Sequence, residues 1–121
     1  MYLNGVQQSR CYQTAIEKWR YGRSTDAQTM GILYWQMNDI WQGPSWASME
    51  FGGRWKPLHY TVRRTFAPTA MSAYQKDGDN SVSFHVVSDE LKSRLCSVTY
   101  SYVSLTQPGV ESLIKRDFAL V

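Results

Sequence analysis

Apolar positions recur at helical spacing along residues 6–21. Tyr12, Ala15, Ile16 and Trp19 fall on one face, and Gln13, Glu17, Lys18 and Arg20 occupy the others. Gly22 is the expected stop, and the polar run Arg23 to Gln28 reads as a loop. Residues 30–37, Met-Gly-Ile-Leu-Tyr-Trp-Gln-Met, are apolar without strict alternation. That pattern predicts a strand covered on both faces, as in a parallel sheet with helices outside. Helix, loop and buried strand in this order make an αβ unit. Residues 38–54 keep no steady period; Asn38, Asp39, Gly43, Pro44, Ser45, Gly52 and Gly53 mark turns and a long loop. Helical spacing returns over 54–66, with Trp55, Leu58, His59, Val62 and Phe66 on one face. Pro57 suits the first turn, where its missing N–H costs little, and Ala67-Pro68 ends the helix.

From Thr69 the pattern changes, which places a module boundary near Pro68. Residues 71–75 read as a short strand and Asp77-Gly78-Asp79-Asn80 as a turn. Residues 81–87 alternate, with Val82, Phe84 and Val86 on one face. Residues 95–105 alternate again, with Cys96, Val98, Tyr100 and Tyr102 together, and Gln107-Pro108-Gly109 precedes a further strand from Ser112 to Leu120. Short strands at turn-spaced intervals suggest a β-sandwich. Four strands leave edges and a core face open, so this module is expected to be incomplete.

Composition narrows the picture. A hydrophobic content of 43% and a charged content of 19% over 121 residues describe a folded chain. The net charge of +3 is spread out, with Arg63-Arg64 and Lys115-Arg116 the only adjacent basic pairs, so no nucleic-acid stripe is expected. No long apolar run predicts a membrane span, and Met1 to Gly5 do not begin a signal peptide. Cys11 and Cys96 form no metal-type or CxxC spacing; the sequence allows a disulfide but does not demand one, and two semi-buried free thiols are the stronger reading. Neither a metal cluster nor a phosphate loop is evident, and no cofactor is implied.

The loop after residue 37 is the richest in candidate chemistry. Trp35, Trp41 and Trp46 fall close together, and a strand end bearing Trp, Gln, Asn and Asp suits a binding surface. An indole offers an apolar face to a sugar ring, and the Gln36 amide can both donate to and accept from hydroxyls. Gln36 and Asn38 would be costly to bury without partners. Asp39 and Glu50 are the nearby carboxylates. A flanking carboxylate pair is what glycoside hydrolysis needs. Yet Asp39 follows a turn-forming Asn, and Glu50 precedes Phe51-Gly52-Gly53, so bracing and turn roles are the stronger reading. His59, on a helix face away from the loop, reads as a structural histidine.

The run Tyr34-Trp35-Gln36-Met37-Asn38-Asp39-Ile40-Trp41, continuing through Ser45-Trp46-Ala47-Ser48-Met49-Glu50 and Trp55-Lys56-Pro57-Leu58-His59-Tyr60, closely resembles β-mannosidases. These belong to the glycoside hydrolase family that also contains β-galactosidase and β-glucuronidase, and the likeness is greatest to the animal lysosomal form. It covers residues 30–68 most strongly. Phe51 stands where the family has Tyr, and Thr65-Phe66 where it has Phe-Phe.

The resemblance implies an α/β part followed by an all-β part. Residues 1–67 would be the last portion of a (β/α)₈ TIM-barrel catalytic domain, with 30–37 its eighth strand. Residues 68–121 would begin an immunoglobulin-like β-sandwich. The implied activity is that of a retaining exo-hydrolase removing terminal β-linked mannose from oligosaccharides of glycoproteins, in the lysosome. Trp35 would form the floor under the mannose, with Gln36, Asn38 and Asp39 at or just behind that subsite. The family's acid/base Glu follows an Asn, and none of Glu17, Glu50, Glu90 and Glu111 does so. Both catalytic carboxylates are therefore expected upstream, on the rest of a parent polypeptide, and this piece alone is expected to be inactive and poorly soluble. The expected partner is a β-mannoside oligosaccharide, without nucleic acid or membrane. Two alternatives stand beside this reading. One is a non-catalytic carbohydrate-binding module using the Trp platform; the other is a small α+β protein with a Trp-rich core.

Overall fold

The computed structural model describes residues 2–75, 77–107, 109 and 111–120. Two compact units are present, Met1–Val87 and Ser88–Val121. The first opens with helix α1 (Tyr2–Tyr21) and a short 3-10 turn (Gly22–Ser24), and continues after a long loop with helix α2 (Pro57–Thr65). Strands β1 (Thr69–Tyr74) and β2 (Ser83–Ser88) then pair in a two-stranded sheet. Strands β3 (Arg94–Val103) and β4 (Glu111–Leu120) form a second one.

Helix α1 begins earlier than the apolar spacing predicts, at Tyr2, and packs along α2. Its Ile16 is buried, as are Leu58 and Val62 of α2. Polar pairs flank this seam: Ser9 Oγ lies 2.6 Å from Thr61 Oγ1, and Arg64 donates to Gln13 Oε1 at 3.0 Å. Trp19, expected on the packed face, is instead half exposed. At the end of α1 a glycine is required. A Cβ on Gly22 would stand 2.7 Å from Thr29 Oγ1, while the Gly22 carbonyl accepts from the Thr25 hydroxyl at 3.0 Å.

Helix α2 starts as its sequence dictates. Lys56 is extended at φ −81° and ψ 163°, and Pro57 takes the first helical position. Arg63 and Arg64 lie in the last turn, where positive charge suits the helix dipole. The Arg20 guanidinium of α1 covers the exit, donating to the carbonyls of Thr65 at 2.7 Å, Ala67 at 2.6 Å and Pro68 at 3.2 Å.

No ladder is built on residues 30–37 among the described residues, which corrects the expectation of a buried strand. Met30 is 96% exposed and Leu33 85%. A strand is held by hydrogen-bonded neighbours along its edges, and among the described residues that run has no strand partner to its early residues. Pairing begins only at Asn38, which bridges Met49 in parallel, and Met49 in turn bridges Trp55.

Chain character changes from helix to strand at Thr69, as the sequence suggests. The compact units nevertheless divide later, between Val87 and Ser88. The β1–β2 pair stays with the helices because β2 meets α1: the His85 ring lies 4.1 Å from that of Tyr21. Val82 to Phe84 are exposed and His85 to Ser88 are all half-buried, so burial in β2 follows its C-terminal half rather than the expected alternation; of the expected face only Val86 is covered.

In the second unit β3 and β4 are antiparallel, in a register running from Arg94 opposite Leu120 to Val103 opposite Glu111. The alternation is as expected, with Cys96, Val98 and Tyr100 half-buried between exposed neighbours. Tyr100 faces Ile114 across the ladder. The Tyr102 side chain and Pro108, both named in the sequence expectations, lie outside the described residues. Cys11 and Cys96 are free thiols.

Candidate functional site

The loop between α1 and α2 folds over itself without a regular element, so its shape rests on individual hydrogen bonds. Residues 36–39 run beside 47–49. Ser48 N–H donates to Gln36 O at 2.9 Å and Asp39 N–H to Met49 O at 2.9 Å. The chain then turns through Gly52 and Gly53, both at positive φ (93° and 90°), and returns so that Lys56 N–H reaches Ser48 O at 3.0 Å.

Ser48 is the centre of this fold-back and is fully buried. Its hydroxyl donates to Met37 O at 2.9 Å, lies 2.8 Å from His59 Nδ1 and lies 3.1 Å from Tyr34 Oη. A serine hydroxyl has one proton and two lone pairs. With the proton given to a carbonyl, Tyr34 and His59 must both donate, which assigns His59 the Nδ1–H tautomer. His59 thus has the structural role its helix position suggested, but it faces into the loop rather than lying away from it. Its ring also lies 4.3 Å from that of Trp55.

Asp39 forms the second brace. Its carboxylate accepts from the Ser45 hydroxyl and pairs with Lys56 Nζ at 3.0 Å, with both side chains largely buried. The Ser45 hydrogen bond first and the Lys56 hydrogen bond second hold the Asp39 carboxyl below the usual carboxylate range, against a smaller opposing effect of burial. Lys56 Nζ also reaches the Ser45 carbonyl at 3.5 Å. Glu50 is occupied elsewhere, accepting from Arg54 Nε at 2.7 Å. The two loop carboxylates therefore each face their own cation, as bracing groups do.

Helix α1 reaches into the loop from the other side. Tyr12 Oη donates to Trp35 O at 2.8 Å, and Gln8 Nε2 to Trp46 O at 3.0 Å. The backbones of both tryptophans are thereby fixed, while their indoles are not packed away. Trp35 is 65% exposed, and Trp41 and Trp46 are similarly open.

Among the four residues singled out in the sequence, Trp35 and Gln36 sit together at the head of the loop, joined by a cis peptide bond. Asn38 is exposed, with its amide donating to Asp39 O at 3.2 Å. Asp39 is tied beneath the loop. Sequence reasoning missed Tyr12, Gln8, Ser48 and Lys56 as the residues that hold this surface. Helical spacing places Tyr12 only on a packing face. Among the described residues no three His, Cys, Asp or Glu side chains gather as for a metal ion. No described helix is long and apolar enough to cross a membrane.

No family model matches the chain. It is 49% identical to mouse β-mannosidase over 82 residues, 64% of this chain and 9% of that protein. Goat β-mannosidase is 53% identical over 72 residues, 56% of this chain and 8% of the goat protein. Aspergillus oryzae β-mannosidase A is 36% identical over 99 residues, 82% of this chain and 11% of the fungal one. The chain thus spans about a tenth of the length of these relatives. In fold it resembles a β-D-mannosidase from Dictyoglomus thermophilum, with a TM-score of 0.68 and 24% identity, over 99% of this chain and 15% of the other. The chain is similar in sequence to one stretch of animal and fungal β-mannosidases, which are glycosidases, and similar in fold to part of a bacterial one.

Proposed function

We propose that this chain is a segment of an exo-acting, retaining β-mannosidase that hydrolyses terminal β-D-mannose on oligosaccharides from glycoproteins, and that the enzyme works in the lysosome. In this reading residues 1–67 belong to the end of a TIM-barrel catalytic domain, and residues from 68 onward begin an immunoglobulin-like β domain. The segment supplies a wall and floor of the mannose site, and both catalytic carboxylates come from elsewhere in the full-length protein. Trp35 offers its indole to the apolar face of the sugar. Gln36 and Asn38 address hydroxyls, and Asp39 works from behind by holding the loop.

The observation that carries the reading is the solvent-facing Trp35 indole on a backbone whose carbonyl is tied to α1. A large aromatic left 65% exposed adds little to the core, whereas an indole carried on a held backbone can serve as a stacking surface for a sugar. The Asp39 and Glu50 ion pairs support the assignment of the acid and nucleophile to other parts of the protein.

The test has two arms. The 121-residue chain, purified free of host glycosidases, is expected to show no turnover of an aryl β-mannoside. In the full-length protein, Trp35→Ala is expected to lower kcat/KM on that substrate by roughly 100-fold, the scale on which a lost positioning contact acts. Turnover by the chain alone, or an unchanged kcat/KM in the variant, refutes the reading.

A further inference from the structure

Three consecutive carbonyl oxygens at the head of the loop are each held by a donor. Trp35 O accepts from Tyr12 Oη at 2.8 Å, Gln36 O from Ser48 N–H at 2.9 Å, and Met37 O from Ser48 Oγ at 2.9 Å. Peptide groups are planar, so the backbone turns only about the two soft dihedrals of each residue. Pinning three successive oxygens removes that freedom around Gln36 and on the C-terminal side of Trp35. The side chains of Trp35 and Gln36 then keep little motion beyond their own rotamers.

We propose that Tyr12 and Ser48 are positioning residues for sugar binding by Trp35 and Gln36, an inference that rests on the β-mannosidase reading above. The arrangement does more than packing requires. Ser48 uses its N–H, its carbonyl and all three capacities of its hydroxyl, and two of these five bonds go to the backbone at 36 and 37. Tyr12 spends its hydroxyl on the carbonyl of Trp35, whose indole faces solvent. The orientation of an exposed indole matters little to stability. It matters to a ligand that must meet the ring face to face, since small misplacements of a binding group weaken the bound complex steeply. The two residues reach the same short segment from different parts of the chain, Tyr12 from α1 and Ser48 from the returning arm of the loop. The backbone of the pair is therefore held by two independent anchors.

The experiment compares Tyr12→Phe, Ser48→Ala and Trp35→Ala in the full-length protein, using an aryl β-mannoside and inhibition by free mannose. Tyr12→Phe deletes one hydroxyl and keeps the ring, which stands edge-on to Tyr34 at 6.3 Å. It is expected to raise both KM and the mannose inhibition constant roughly 3- to 10-fold, the effect of one lost hydrogen bond. Its melting temperature is expected to stay within about 2 °C of the parent's. Ser48→Ala is expected to raise both constants further. A merely structural role would reduce the amount of active protein, and so the apparent kcat, with KM and the inhibition constant unchanged. That outcome in Tyr12→Phe and Ser48→Ala, with Trp35→Ala raising both constants, overturns the positioning role and leaves the sugar site standing. Should Ser48→Ala fail to fold, Tyr12→Phe decides alone. If Trp35→Ala leaves both constants unchanged, the sugar-site reading and the positioning role fall together.

Discussion

Leu58→Ala tests whether the seam between α1 and α2 is a true core. Leu58 is fully buried, and Ile16 across the seam is nearly so. The substitution removes three carbons, worth about 2.4 kcal/mol at roughly 0.8 kcal/mol for each buried group. Helices pinned by Ser9–Thr61 and Gln13–Arg64 hydrogen bonds cannot close fully over the gap, so a cavity term adds to this. The total expected is about 3 kcal/mol, within the usual span for such changes. With a urea slope of about 1.5 kcal/mol per molar, the midpoint of the far-UV helix signal should fall by about 2 M. Where the parent is less stable than that, the variant should lose its helix signal in buffer alone. Trp35→Ala is the internal comparison. It removes a larger side chain from a largely exposed position and should move stability by no more than about 0.5 kcal/mol. Equal losses from the two substitutions, or a Leu58→Ala shift below about 0.5 M, would refute the assignment of the core.

Two further outcomes follow from the ion pairs. The Asp39 carboxyl lies below its ordinary value of 3.8, so the folded chain binds this proton less readily than the unfolded one. The stabilisation is complete above that value and is lost as the pH falls through the lower folded value. Asp39→Asn should therefore be less stable than the parent at pH 7, with the gap narrowing in acid below 3.8, as urea midpoints across that range would register. Arg54→Ala breaks the pair to Glu50, in which the arginine side chain is 81% exposed, and should change stability by no more than about 0.5 kcal/mol in the same titration. A larger loss would mean that the turn at Gly52-Gly53 depends on the pair.

Local chemistry made some elements legible in the sequence. Pro57 and Pro68 bracket α2 because each restricts the backbone at its own position and the one before. The half-buried set Cys96, Val98 and Tyr100 follows from the twofold period of a strand. The run at 30–37 was misjudged for a different reason. Its apolar pattern specifies coverage on two faces, and among the described residues no strand pairs with its first residues. Alternation does not describe the burial of β2 because its C-terminal half is covered on both faces, and one cover, the Tyr21 ring against the polar His85, has no signal in hydrophobic spacing. At the site, Trp35 and Asp39 could be singled out by residue type. Ser48 and Tyr12 could not, because a side chain reaching a backbone oxygen 11 or 23 residues away leaves no periodic trace.

Arg20 also bears on how the chain opens. Its guanidinium holds three carbonyls that lie 45, 47 and 48 residues downstream, across the junction of α2 and β1. Its donors fan out in one plane, so a lysine could not serve all three positions with the same geometry. Fraying at that junction is thus not an independent event, because it requires α1 to let go as well. Both helices and the β1–β2 pair up to Val87 lie in one compact unit, and elements tied together in this way tend to open as one. The division between compact units accordingly falls not at Pro68 but at the end of β2, between Val87 and Ser88.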